Sequence, residues 1–202
     1  MPTLEASAVT GGLQDPVFDA QAIFRSLMGA FAEPGTVADL ATRVSAPEPL
    51  EPAAAAILAA LADGDTPVWM AAPEGADLGA ARWLRFQTGA PVASDPAAAR
   101  FVVLPGGSDP DGWGEFSIGT QDYPDRSATL LLRLASFSGG RPLILAGPGI
   151  ETERRIAPVG LPEGFLAVME RNRASFPLGF DLVLVCGTAA LALPRTTRIR
   201  EG

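Results

Sequence analysis

The sequence predicts an α/β fold, a three-layer α-β-α domain built on a mixed sheet. Three observations predict it. Amphipathic helical patterns alternate with short apolar runs along the chain. Residues 67–71 and 181–186 are continuous apolar runs of the kind found in strands buried within a sheet. The 202 residues, 48% hydrophobic and 19% charged, suffice for one full core. Residues 15–202 are therefore read as a single domain, and residues 1–14 as a loosely ordered N-terminal tail.

Asp15-Pro16 opens the first helix, a capping carboxylate followed by a proline whose missing N–H is not needed there, with Asp19 as a second candidate cap. From there Phe18, Ala20, Ile23, Phe24, Leu27, Met28 and Phe31 recur at three- and four-residue spacing. They give a wide apolar face, and Pro34-Gly35 stops the helix. Arg25 and Glu33 fall off that face. Residues 37–40 read as a short strand and the proline-rich 46–52 as a loop. Residues 52–62 form an alanine-rich helix with Ile57, Leu58 and Leu61 on one side, closed by Asp63-Gly64-Asp65-Thr66. A strand at 67–71 precedes a third helix at 78–87. A helical turn at 96–99, capped by Ser94 or Asp95, leads to a strand at 100–104. The turn-rich 105–111 and the aromatic segment 113–116 follow. Strands are expected at 128–138 and 141–146, a helix at 163–173, and strands at 181–186 and 189–193 on either side of Gly187-Thr188.

The stretch 137–158 carries two glycine clusters, Gly139-Gly140 and Gly147-Pro148-Gly149, around an apolar run. Gly147-x-Gly149-x-x-Thr152 falls short of the dinucleotide fingerprint, because its third glycine is Thr152 and the segment after it reads poorly as a helix. Gly139-Gly140 reads as the centre of a type I′ turn, where both residues need positive φ. That turn places Ser138 opposite Arg141 and puts Leu132, Leu134, Leu143 and Leu145 on one face of a β-hairpin.

Composition excludes much chemistry. There is no His, and all fifteen basic residues are Arg. A Ser-His-Asp or Cys-His nucleophile system cannot be built from this chain, nor a P-loop lysine, nor a Schiff base to pyridoxal phosphate. Cys186 is the only cysteine, so the usual zinc sites, single-chain iron–sulfur clusters and an internal disulfide are excluded. Its apolar setting reads as core. Asp122, Asp125 and Arg126 read as a polar loop without a third metal ligand. No metal, no cofactor and no catalytic residue is assigned. A net charge of −8 repels nucleic acid and anionic membranes. The N-terminus lacks a secretory pattern, and no apolar run approaches the ~20 residues that span a bilayer. A cytoplasmic location is expected.

Guanidinium groups remain the candidates for contact with a ligand or partner. Arg154 and Arg155, flanked by Glu151 and Glu153, read either as an anion site or as an ion-pair network. Arg195-Thr196-Thr197-Arg198 offers hydroxyls and planar donors suited to phosphate or carboxylate, or a C-terminal strand or arm that meets another subunit. Arg141 beside the glycine turn completes the set of four: Arg141, Arg154, Arg155 and Arg195. They support a small-anion or nucleotide-binding module as the alternative function.

Several longer phrases carry a family resemblance. They include Phe24-Arg-Ser-Leu-Met-Gly-Ala-Phe-Ala-Glu-Pro-Gly35, Leu61-Ala-Asp-Gly-Asp-Thr-Pro-Val-Trp69 and Leu84-Arg-Phe-Gln-Thr-Gly-Ala-Pro91. Further along stand Ser136-Phe-Ser-Gly-Gly-Arg141, Gly147-Pro-Gly-Ile150, Glu153-Arg-Arg-Ile-Ala-Pro158, Phe176-Pro-Leu-Gly-Phe-Asp-Leu182, Cys186-Gly187 and Pro194-Arg-Thr-Thr197. In this order, over about residues 15–200, the chain resembles the PhnH family, the H subunits of bacterial carbon–phosphorus lyase systems. Gln87 stands where the family often has His. The resemblance implies a fold like the large domain of pyridoxal-phosphate-dependent transferases without the cofactor site. It implies a homodimer, and a core complex with the G, I and J subunits. That system couples a phosphonate to ATP, displacing adenine to give a ribose 1-phosphonate 5-triphosphate. The H subunit is required together with G, I and L, while the nucleosidase chemistry is assigned mainly to the I subunit. ATP and phosphonate are substrates of the complex. The expectation is a subunit that is non-catalytic by itself.

Overall fold

The computed structural model describes residues 10–40, 44–71 and 79–202. In chain order its regular elements are α1 (Pro16–Ala32), β1 (Val37–Asp39), α2 (Pro52–Leu61), β2 (Val68–Met70), α3 (Gly79–Thr88), β3 (Phe101–Leu104) and β4 (Thr129–Arg133). They continue with β5 (Leu143–Ala146), β6 (Arg154–Ile156), α4 (Phe165–Ala174), β7 (Asp181–Cys186), β8 (Ala189–Leu193) and β9 (Arg198–Glu201). Short 3-10 turns lie at Pro96–Ala98, Pro110–Glu115 and Pro124–Arg126. Residues 1–9 of the expected tail and Leu78 of the third helix lie outside the described residues.

Local chemistry sets the helix ends. The Asp15 carboxylate accepts from the N–H groups of Val17 and Phe18, and the Asp19 carboxylate accepts from those of Gln14 and Asp15. Both acidic residues thus satisfy orphan donors at the start of α1. The 3-10 turn at Pro96–Ala98 is capped by Asp95, which accepts from Ala97 N–H. In the turn after α2, hydrogen bonds from the Thr66 hydroxyl first and the Asp65 N–H second hold the exposed Asp63 carboxyl below its usual range.

Six strands form the main sheet in the order β1-β8-β7-β4-β3-β2. The run β2, β3, β4, β7 is parallel, with Val102 opposite Leu130 and Leu130 opposite Leu182, whereas β8 and β1 are antiparallel. Gly187 at φ +56°, followed by Thr188, makes the tight turn from β7 to β8. Alternate side chains enter two cores. Val68, Val103, Leu131, Val183 and Ala190 face the layer of α1, α2 and α3. Trp69, Val102, Leu130, Leu182 and Leu191 face the opposite layer.

The opposite layer differs from an all-helical one. It combines α4, the Pro110–Glu115 turn and a second sheet of order β6-β5-β9, whose Leu143, Leu145 and Ile156 enter the core. This placement overturns the expected hairpin across Gly139-Gly140. Strand β4 ends at Arg133, and β5 pairs with β6 and β9 in the other sheet. Gly139 has φ +94°, but Gly140 is not in the left-handed region. Gly140 is needed for a different reason: a Cβ there would lie 2.0 Å from the Pro158 carbonyl oxygen, and its N–H donates to Ala157 O at 2.8 Å. Ser136 bridges Val159 rather than any residue of 141–146. The four leucines still share one core, reached from two sheets.

Residues 10–14 are tied to the domain. Trp83 Nε1–H donates to Thr10 O at 2.9 Å, Ser45 N–H donates to Gly11 O at 2.8 Å, and Leu13 packs on the helical core.

Candidate functional site

The four candidate arginines occupy different settings. Arg195 lies between the end of β8 and the start of β7. Its backbone N–H, Nε and Nη2 all donate to the Asp181 carboxylate, at 2.8, 3.2 and 2.6 Å. Its Nη1 donates to Pro124 O and Pro177 O, and its Nη2 also reaches Ser127 Oγ. Every nitrogen of this guanidinium has an internal acceptor. Arg154 on β6 is used in a similar way: Nη1 donates to Glu33 O, Pro34 O and Thr36 Oγ1, which joins the small sheet to the end of α1.

Arg155, its neighbour on the strand, points the other way and is exposed. Arg141 is exposed too and lines a groove of about 910 Å³ beside Pro142, Val159, Glu163 and Leu166. Neither guanidinium has a protein partner among the described residues. The Arg198–Glu201 end of the Arg-Thr-Thr-Arg segment is a strand, β9, at the edge of the small sheet.

Open α/β sheets commonly take ligands at the carboxyl ends of their parallel strands. Here Arg133 at the end of β4 contacts Glu51 at 2.6 Å and Glu48 at 3.3 Å, and Glu51 also accepts from Gly187 N–H at 3.1 Å. Cys186 at the end of β7 is partly buried, with its Sγ 3.5 Å from Ala135 O. Asp122 and Asp125 are exposed, and Arg126 lies over the Tyr123 ring at 4.1 Å. Among the described residues no group of three or more His, Cys, Asp and Glu side chains is placed to hold a metal ion. None of their helices is long and apolar enough to cross a membrane.

The apolar pattern of α1 exceeds what the fold buries. Ile23, Leu27 and Ala30 enter the core, whereas Phe18 is 69% and Phe24 48% exposed, with Val17 and Met28 exposed beside them. At 100° per residue, Val17, Phe24 and Met28 make one stripe along the flank of the buried face. The expected wide face is therefore only half used within the chain. Sequence periodicity could find these side chains but not separate the buried ones from the exposed ones.

The model of the family described as bacterial phosphonate metabolism protein PhnH matches residues 11–200. The chain belongs to the PhnH family. It is 45% identical to the alpha-D-ribose 1-methylphosphonate 5-triphosphate synthase subunit PhnH of Rhizobium meliloti (strain 1021), over 98% of this chain and 99% of that one. It is 35% identical to the protein HtxG of Stutzerimonas stutzeri, named as a C-P lyase subunit, over 89% of this chain and 85% of that one. The matched residues cover α1 to α4 and β1 to β9 apart from Glu201, including the Arg154 and Arg195 contacts.

Proposed function

We propose that this PhnH-family chain is a non-catalytic subunit of a carbon–phosphorus lyase core complex. In this reading it assembles in the cytoplasm as a homodimer with G, I and J subunits. It supports the coupling of a phosphonate to ATP, in which adenine is displaced and a ribose 1-phosphonate 5-triphosphate forms. ATP and phosphonate are substrates of the complex, and this chain holds no cofactor. Its mixed sheet with helices on both sides is read as the large-domain fold of pyridoxal-phosphate-dependent transferases without the cofactor site.

The observation that carries the reading is the exposed stripe of Val17, Phe24 and Met28 on α1. An exposed apolar patch on a folded domain marks a contact surface for a protein, a membrane or a ligand. The relatives are named as subunits, which favours a partner subunit as the occupant. Arg141 and Arg155 are available for carboxylates of a partner or for a small anion, since no acceptor among the described residues engages them.

Co-expression with G, I and J subunits followed by size-exclusion chromatography tests this. The wild-type chain is expected to co-elute with them, and Phe24→Asp, an exposed change, to elute separately with an unchanged melting temperature. The isolated chain is expected to leave ATP plus methylphosphonate unconverted. Turnover by the isolated chain would overturn the non-catalytic role. Co-elution of Phe24→Asp would remove α1 as the contact. A wild-type dimer that Phe24→Asp splits, while co-elution persists, would assign the stripe to a second copy instead.

A further inference from the structure

The face of α1 turned away from the core is nearly free of charge. The helix holds two charged residues. Asp19 is spent on the N–H groups of Gln14 and Asp15, whereas Arg25 is exposed with no acceptor among the described residues. Around Arg25 the face presents Phe18, Phe24 and Met28, all exposed. Exposed Ala22 and Ala32 add little bulk between them.

Gly29, on the same face, gives an independent observation. It sits in regular helix a turn before the end of α1, without a positive φ, and its carbonyl accepts from Glu33 N–H at 2.9 Å. Glycine is a poor helix former, because it gives up more conformational freedom than alanine. Nothing described in this chain requires it there: a Cβ on Gly29 meets no atom within 4 Å. Gly140 and Gly149 differ, since in each a Cβ would lie 2.0 Å from a carbonyl oxygen. A bare Cα on an exposed apolar helix face leaves room for another backbone to come close.

We infer that α1 receives a helix of a partner subunit, which crosses it over Gly29 and brings a carboxylate to Arg25. This rests on the assembly reading and names the element that meets α1. An extended segment is a poor occupant, because the backbone of α1 is hydrogen-bonded within itself and offers no strand edge. The N–H and C=O groups of such a segment would lie on apolar side chains without partners, whereas a helix satisfies its own. A second copy of α1 is a poor occupant as well. Two-fold packing brings the same face twice, with two Arg25 side chains and no carboxylate on that face to answer them.

Calorimetry of the purified chain against a purified assembly of G, I and J subunits tests it. Gly29→Leu places a good helix former at an exposed site. The isolated variant should melt at the wild-type temperature or higher, while its affinity for the assembly falls by about tenfold or more. Arg25→Glu should weaken binding by about tenfold. A benzophenone side chain at Met28 should cross-link to partner residues spaced three or four apart, as on one face of a helix. Wild-type affinity in Gly29→Leu or in Arg25→Glu would overturn the inference. So would cross-links to alternate residues of an extended segment, or to a second copy of this chain. If Phe24→Asp abolishes binding while Gly29→Leu does not, the helix crossing falls and the assembly reading stands. Absence of binding by the wild-type chain removes both.

Discussion

Arg195 shows how residue chemistry and residue role separate. A guanidinium is suited to capturing an oxyanion, but this one is spent on Asp181 and on the carbonyls of Pro124 and Pro177. It ties the start of β7 to the end of β8 and to the turn before β4. Its side chain is only 12% exposed, so the ion pair with Asp181 is shielded from water. Asp181→Ala strands the cation and removes the acceptor for Arg195 N–H. Breaking a mostly buried pair from one side is expected to cost about 3 kcal/mol. By contrast, Glu153→Ala breaks an exposed pair with Arg200 and should change stability by less than about 1 kcal/mol. Urea unfolding of the two variants, compared by midpoint at constant m-value, checks the difference. Equal midpoints would show that the Arg195 network is not a brace.

At the scale of elements, the connection from β5 to β6 is built around contact with α1. Gly149 sits at φ +79°, and a Cβ there would lie 2.0 Å from Ala32 O and 2.8 Å from Pro34. Backbone cannot yield as a flexible side chain would. Gly149→Ala is therefore expected to destabilise by at least about 2 kcal/mol, whereas Gly112→Ala, with nothing within 4 Å, should be near neutral. Thermal melts of both variants decide. The same segment marks the limit of what the sequence discloses. Caps, helical periodicity and continuous apolar runs located α1, α2, β7 and β8 to within a residue or two, because those signals are local. The partition of β4 and β5 between two sheets is not local. Residues 128–134 and 143–146 are rich in apolar residues, so they read as one hairpin, while the partners of β5 are β6 just after it and β9, far along the chain. β6 was hidden because Arg154-Arg155-Ile156 has no strand-like alternation of polarity. Of the candidate arginines, the sequence identified the residues but not the acceptors of Arg154 and Arg195, which are backbone carbonyls and side chains of distant segments.

For the molecule as a whole, the main sheet carries two cores that share strands. Along β7, Val183 and Val185 enter the core under α1–α3, while Leu182 and Leu184 enter the one under α4 and the small sheet. Neither core can be lost without exposing the reverse face of the same strands, so the two should melt together as one domain. Tryptophans report on each side: Trp83 is buried in the first core, and Trp113 is buried in the second between Phe165 and Phe180. A chain retaining only Trp83, with Trp69→Phe and Trp113→Phe, can be compared with one retaining only Trp113, with Trp69→Phe and Trp83→Phe. In each, fluorescence is set beside far-ultraviolet circular dichroism through the same urea titration. Coincident midpoints within each variant are expected for a two-state unit. Trp83 also donates to Thr10 O, so its transition includes release of residues 10–14. A Trp113 signal lost well before the dichroism would mean that the layer of α4 and the small sheet unfolds separately. The domain would then be two cooperative units joined along β4 and β7.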